Sequence, residues 1–176
     1  MDIINAIDNN LSTSHRKNKV TRRCNKCKRS RLHYNENAQQ CNFCNQLMLS
    51  GNKFIDNLLT KLNKQKAFIE FIPYEQFDDI IYLSEGGFSK IYKARCVNGI
   101  RTKWNGRQQR FTHNTNATIV LKSLNNSEAI SHDFLNELKT YFQCSGSNII
   151  NYYGITQHPK TKDYMIVMDF AENGKN

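Results

Sequence analysis

Ile80-Ile81-Tyr82-Leu83-Ser84-Glu85-Gly86-Gly87-Phe88-Ser89-Lys90-Ile91-Tyr92-Lys93-Ala94 is the stretch on which the rest of the chain turns. An apolar run enters a glycine pair, passes an aromatic and a small polar residue, and leaves as a second apolar run. Ile119-Val120-Leu121-Lys122 then sets one lysine on a third β-branched segment. This is the pattern of a hairpin that covers phosphates, with a cation on the next strand. Glycine at such a tip lets backbone N–H groups approach phosphate oxygens with no Cβ in the way.

Strands are expected at Ile80–Ser84, Ile91–Val97, Ala117–Leu124, Asn151–Gln157 and Tyr164–Phe170. A helix is expected from about Ser131 to Gln143. Ile130, Phe134, Leu138, Tyr141 and Phe142 recur there at helical spacing, with Glu137 on the margin of the apolar stripe. The long connection from Asn98 to Asn116 holds Ile100, Trp104, Phe111 and an Asn105-Gly106 turn signal, so it reads as a hairpin-like extension. The order is β-β-β-α-β-β, an α+β arrangement. A lysine inside a cleft needs a carboxylate to hold its direction, and Glu137 is the candidate for Lys122.

Taken in order, these residues resemble the small lobe of a eukaryotic protein kinase, nearest in flavour to the tyrosine-kinase-like branch, over roughly Phe71 to Asn176. Phe134-Leu135-Asn136-Glu137 looks like the family's αC helix, Asn148–Gly154 like the passage that follows it, and Tyr164–Ala171 like the strand that runs into the hinge. The resemblance implies a five-stranded antiparallel sheet plus helix αC, with ATP as ligand. It implies catalytic roles for Lys122, on the α- and β-phosphates, and for Glu137. It places Ser84, Gly86, Gly87, Phe88 and Ser89 over the phosphates, and Ile91 and Val120 against the purine. Met168 becomes the gatekeeper, and the Asp169 carbonyl and Ala171 backbone meet the adenine edge.

Two departures carry consequences. The family's loop has three glycines, and the first and third places here are Ser84 and Ser89, which predicts a stiffer turn. Val120 stands where the family usually has alanine, which predicts a tighter adenine pocket. The resemblance also implies a His-Arg-Asp catalytic loop and an Asp-Phe-Gly metal site. Neither motif occurs in these 176 residues. The expectation is therefore a truncated kinase domain. Protein substrate and Mg²⁺ enter only with a large lobe, and this polypeptide alone transfers no phosphate.

The front of the chain has a different character. Residues 1–66 carry thirteen Lys/Arg against four Asp/Glu, whereas the remainder is nearly balanced. Cys24-x2-Cys27 and Cys41-x2-Cys44, 13 residues apart, have the spacing of ribbon-type zinc modules, in which two tight turns offer four thiolates to one Zn²⁺. Free thiols in a basic tail and a redox pair are the rivals, and His33 is a possible substitute ligand. Cys96 and Cys144 read as small buried apolar residues.

Arg16, Lys17, Lys19, Arg22, Arg23, Lys26, Lys28, Arg29 and Arg31 surround the cysteines, so the alternative function is a non-catalytic, zinc-dependent module that binds nucleic acid through phosphates, or protein, with the lobe as a pseudokinase-like scaffold. The expected layout is a polar, basic tail over 1–20, a zinc-binding module over 21–48, a linking helix over 50–70 and the kinase-like lobe over 71–176. Phe54, Ile55, Leu58, Leu59 and Leu62 give the linking helix one apolar face, and Ser50 or Asn52 would cap it. No signal peptide and no membrane span are visible, so the expected location is cytoplasmic or nuclear.

Overall fold

The computed structural model describes residues 20–64, 69–143 and 150–171. Most of the basic tail, Cys144, Asn148, Ile149 and Glu172–Asn176 lie outside them. The cysteine region contains two small antiparallel ribbons. Strand β1 (Arg22–Arg23) pairs with β2 (Ser30–Arg31), and β3 (Tyr34–Asn35) with β4 (Gln40–Cys41); the short helix α1 (Asn42–Asn45) follows.

Helix α2 (Lys53–Lys64) begins where the side chain of Asn52 accepts the Phe54 N–H at 2.9 Å. Asp56 reaches back to accept from both the amide and the hydroxyl of Ser50 at 2.8 Å. The first bond satisfies a donor that the first helical turn leaves open, and the other two fix the entering chain against that turn. The helix starts at Lys53 rather than at residue 50, because Ser50 and Asn52 form its cap; residues 65–68 lie outside the described residues.

The main sheet has six strands in the order β5-β11-β12-β10-β7-β6. Strands β6 (Phe77–Glu85), β7 (Ser89–Cys96), β10 (Ala117–Leu124), β11 (Tyr152–Gln157) and β12 (Tyr164–Asp169) are the five expected strands, and all pair antiparallel. The expectation of five strands falls short by one. Strand β5 (Glu70–Phe71) adds a sixth at the edge, parallel to β11. Two residues carry no readable period, so the sequence gives no sign of it. The extension between β7 and β10 is a ribbon, β8 (Ile100–Asn105) against β9 (Arg110–Asn114). Its turn is longer than an Asn-Gly hairpin needs. The Asn105 side chain accepts the amides of Arg107 and Gln108 at 3.0 Å and stretches the loop to four residues.

Strand alternation sends side chains to two cores. On one face Ala94, Cys96, Ile119, Leu121, Met165 and Val167 pack under Ile72 and Phe77. On the other, Leu124, Ile155, Tyr164 and Ile166 meet α2 and the helix α3 (His132–Gln143) through Leu59, Leu62, Phe134 and Leu138. Ser131 caps α3 by accepting the Phe134 amide at 3.0 Å. Leu138 and Cys96 are fully buried, as expected of a stripe residue and a small apolar residue.

The β8–β9 ribbon has a structural task. Trp104 and Phe111 stack edge-on with centroids 4.9 Å apart, and Phe43 of the cysteine region completes the cluster at 5.3 and 5.2 Å. Gln46 donates to the Gln109 carbonyl at 2.7 Å, and Arg101 donates to the Gln46 carbonyl. The cysteine region is thereby docked on the ribbon rather than tethered by α2 alone.

Arg101 also forms a buried ion pair with Glu70, Nε to Oε2 at 2.8 Å. Burial pushes the Glu70 carboxyl up to about 7, and Arg101 draws it only part of the way back. A carboxyl raised by folding contributes most below about pH 4.5, its ordinary value, and that contribution is lost as pH rises through about 7. Urea midpoints measured across this window should fall with rising pH in the parent chain. Glu70→Gln should flatten that dependence, because the amide carries no titrating proton, and the two proteins should differ most in the acid half of the window, where the parent keeps its full contribution. A parallel pH profile in the two proteins would contradict this.

Candidate functional site

Strand β10 sets the first site. Its residues alternate, so Ile119 and Leu121 point into one core while Val120 and Lys122 share the opposite face, half-buried. Antiparallel pairing brings Ile91 opposite Lys122, and Met168 opposite Val120. One surface therefore gathers Ile91, Val120, Lys122 and Met168, four of the residues expected to meet a nucleotide. Lys93, opposite Val120, belongs to the same surface, with its ammonium 4.7 Å from the centre of the Phe170 ring. Sequence reasoning missed Lys93, although its two-residue offset from Ile91 on one strand was the available signal.

The glycine hairpin closes that surface at one end. Ser84 pairs with Ile91 and Glu85 with Lys90, leaving Gly86, Gly87 and Phe88 as the tip. Gly86 donates to the Ser89 carbonyl at 2.8 Å, and Phe88 accepts from the Asn125 amide at 3.1 Å. The Gly87 amide makes no hydrogen bond among the described residues, and a Cβ at either glycine would meet nothing within 4 Å. The glycines thus keep the tip open toward solvent. Phe88 stands outermost, 87% exposed, and covers no part of the surface in this structure.

Glu137 does not touch Lys122 directly. Lys122 Nζ donates to the Tyr141 hydroxyl at 2.8 Å, and that hydroxyl donates to Glu137 Oε1 at 3.1 Å. The ammonium also lies 4.6 Å from the centre of the Tyr141 ring. Tyr141, counted from sequence only as part of an apolar stripe, is the relay between the two charges. Its position four residues after Glu137 was the readable signal.

At the far end, Asp169 is tied to the start of β11. Its carboxylate accepts from the Asn151 amide at 3.0 Å, from the Asn151 side chain at 2.7 Å and from the Tyr153 hydroxyl. Burial and this carboxylate together push the Tyr153 phenol well above its usual range. Ala171 is exposed beyond the end of β12.

The second site is built by two turns. Lys28 adopts a left-handed conformation with φ of 59°, which folds the chain so that its amide returns to the Cys24 carbonyl at 2.9 Å. The Cys27 amide donates to Cys24 Sγ at 3.5 Å. Cys41 and Cys44 approach from the end of β4 and from α1. Asn25 holds the two turns together, its amide on the Gln39 carbonyl at 3.1 Å and its side chain on that of Gln39 at 2.8 Å.

All four sulfurs lie within 4.8 Å of one another, with Cys27 and Cys41 at 3.9 Å. Four thiolates on a tetrahedral Zn²⁺ sit about 3.8 Å apart. Hydrogen bonding with Cys44 draws the Cys41 thiol down to about 5, the same contact pushes Cys44 far up, and burial pushes Cys27 up. The donor set could hold a zinc ion. His33 lies beside this cluster, lining a cavity, and is not part of the four-residue group.

A family model described as "Protein tyrosine and serine/threonine kinase" matches residues 80–175. The chain belongs to that family. Among curated proteins nothing matches it. No helix among the described residues is long and apolar enough to cross a membrane.

Proposed function

We propose that the lobe from Phe71 onward binds ATP in the manner of a protein kinase small lobe, with a structural zinc ion in the cysteine region. The observation that carries the reading is the chain Lys122–Tyr141–Glu137 on the same surface as Ile91, Val120 and Met168. Lys122 would meet the α- and β-phosphates as a compact charge. Glu137 sets its direction through the Tyr141 hydroxyl. The open tip at Gly87 offers a backbone N–H to phosphate, while Ser84 and Ser89 frame the hairpin. Ile91 and Val120 would flank the purine, Met168 would bound the pocket behind it, and the Asp169 and Ala171 backbone would face its edge.

Phosphorylation of protein Ser, Thr or Tyr is the activity this family membership suggests. The catalytic loop and the metal-holding motif of that chemistry are not among these residues. What the chain supplies is nucleotide binding and the lysine that positions phosphates. Tyrosine-kinase-like character rests on the loop and hinge pattern noted from sequence.

Titration with a fluorescent ATP analogue tests the reading. Saturable binding should weaken at least tenfold in Lys122→Ala, a charge-assisted contact being worth about 1.5–3 kcal/mol. Tyr141→Phe should change affinity by less, since Lys122 can then pair with Glu137 directly. Equal affinity in the parent chain and Lys122→Ala would remove the lysine from the site.

A further inference from the structure

A cavity of about 540 Å³ does not touch the Lys122 surface. It lies where three separate parts of the chain meet: the cysteine region, the end of α2 and the tip of the β8–β9 ribbon. Its volume is within the roughly 300–1,000 Å³ of ligand pockets. Its lining contains Arg29, Arg31 and His33 and no carboxylate. Trp104 and Phe43 supply an aromatic wall.

Two buried polar atoms at this cavity lack partners. Asn63 is 6% exposed and lines it. Both N–H groups of its side chain are committed, to the Leu59 carbonyl at 2.8 Å and the Ile69 carbonyl at 2.5 Å. Its Oδ1 accepts nothing, and Arg31 Nε donates to nothing. Both atoms are shut off from solvent, so what the cavity presents to a guest is its basic lining of Arg29, Arg31 and His33 against the aromatic wall.

We infer that this cavity between the cysteine region and the ribbon is a second ligand site, for a small planar aromatic anion. The anionic group meets the guanidinium of Arg31, and the ring lies against Trp104. The site is independent of ATP binding at Lys122. It also gives the docked arrangement a use: the ligand bridges two regions that otherwise meet through the aromatic cluster and the Gln46 hydrogen bonds, so its binding favours the docked state.

Trp104 is the only tryptophan of the chain, so its emission reports the site directly. The zinc-loaded full chain is titrated with AMP as a ring-bearing anion, with adenosine as the uncharged ring and with inorganic phosphate as the ringless anion. AMP should change Trp104 emission saturably, and both controls should bind at least tenfold more weakly. Arg31→Gln should weaken AMP by about tenfold or more. Ser30→Glu, at an exposed lining position, should do the same by charge repulsion without disturbing the fold. Lys122→Ala should leave the titration unchanged.

Several results would overturn the site. One is no saturable response to millimolar AMP. Another is equal affinity for AMP and adenosine, and a third is loss of the response in Lys122→Ala. A single-stranded oligonucleotide that displaces AMP with an affinity collapsing in salt would reassign the cavity to a nucleic-acid strand.

Discussion

Removal of metal by a chelator, or Cys41→Ser, is expected to unfold the cysteine region while the six-stranded lobe stays folded. The reason is the poverty of the region's own core. Its buried apolar cluster consists of Cys24, Cys41 and Cys44, with Cys27, Tyr34 and Phe43 only partly covered. Its four strands are two residues each, and such ribbons have no independent stability. Zinc bound by four thiolates contributes about 10–16 kcal/mol of apparent free energy in small zinc domains, far more than this packing can replace. The lobe rests instead on two clusters built around Ile119, Leu121, Ile155 and Ile166, none of which belongs to the cysteine cluster.

Native mass spectrometry should find one zinc per chain. Chelation should move Trp104 emission toward that of a solvated indole, because Phe43 leaves its edge, while the helical signal of α2 and α3 persists. Metal retention should fail as pH drops, since protons compete for the thiolates. A chain purified without zinc, whose Trp104 emission ignores chelators, would show that the four sulfurs are not ligands.

The parts of this molecule that sequence revealed are those where one residue type has few alternatives. The cysteine spacing marked the four sulfurs because a tetrahedral site needs two tight turns, and those turns are present. Strand alternation put Val120 and Lys122 on one face, and pairing then carried Ile91 and Met168 to them. What sequence concealed depends on approach between distant segments. Tyr141 reads as an apolar stripe residue, and only the sheet beneath α3 makes its hydroxyl the link from Lys122 to Glu137. Glu137 was assigned a direct pairing because charge suggests the shortest route. The helix instead carries a phenol four residues on, between the carboxylate and the lysine. Trp104 and Phe111 read in sequence only as apolar residues of a hairpin-like extension, yet they receive Phe43 from a region more than fifty residues earlier. Strand β5 escaped notice because its two residues owe their structure to β11.

That last pairing leads to the other large effect: Gly154→Ala should destabilise the chain by about 3 kcal/mol, whereas Gly106→Ala should change it by less than about 0.5 kcal/mol. A Cβ on Gly154 would stand 2.2 Å from the Glu70 carbonyl oxygen and 3.2 Å from Ile72 Cδ1; one on Gly106 would meet nothing within 4 Å. The first of these neighbours is backbone, so no rotamer change relieves the clash and β5 must move off β11. The Ile72 amide would then lose the Ile155 carbonyl, now 2.9 Å away. Glu70 would be drawn from Arg101, and Arg101 also holds the Gln46 carbonyl of the cysteine region. One added methyl group should therefore weaken both the sheet edge and the docking of the cysteine region. Denaturant midpoints measure the first effect. Faster hydrogen exchange at the Ile72 amide locates it, and Trp104 emission reads the second. Equal midpoints for the two alanine variants would mean that β5 does not lie against Gly154, and the coupling from β11 through Glu70 to the cysteine region would fall with it.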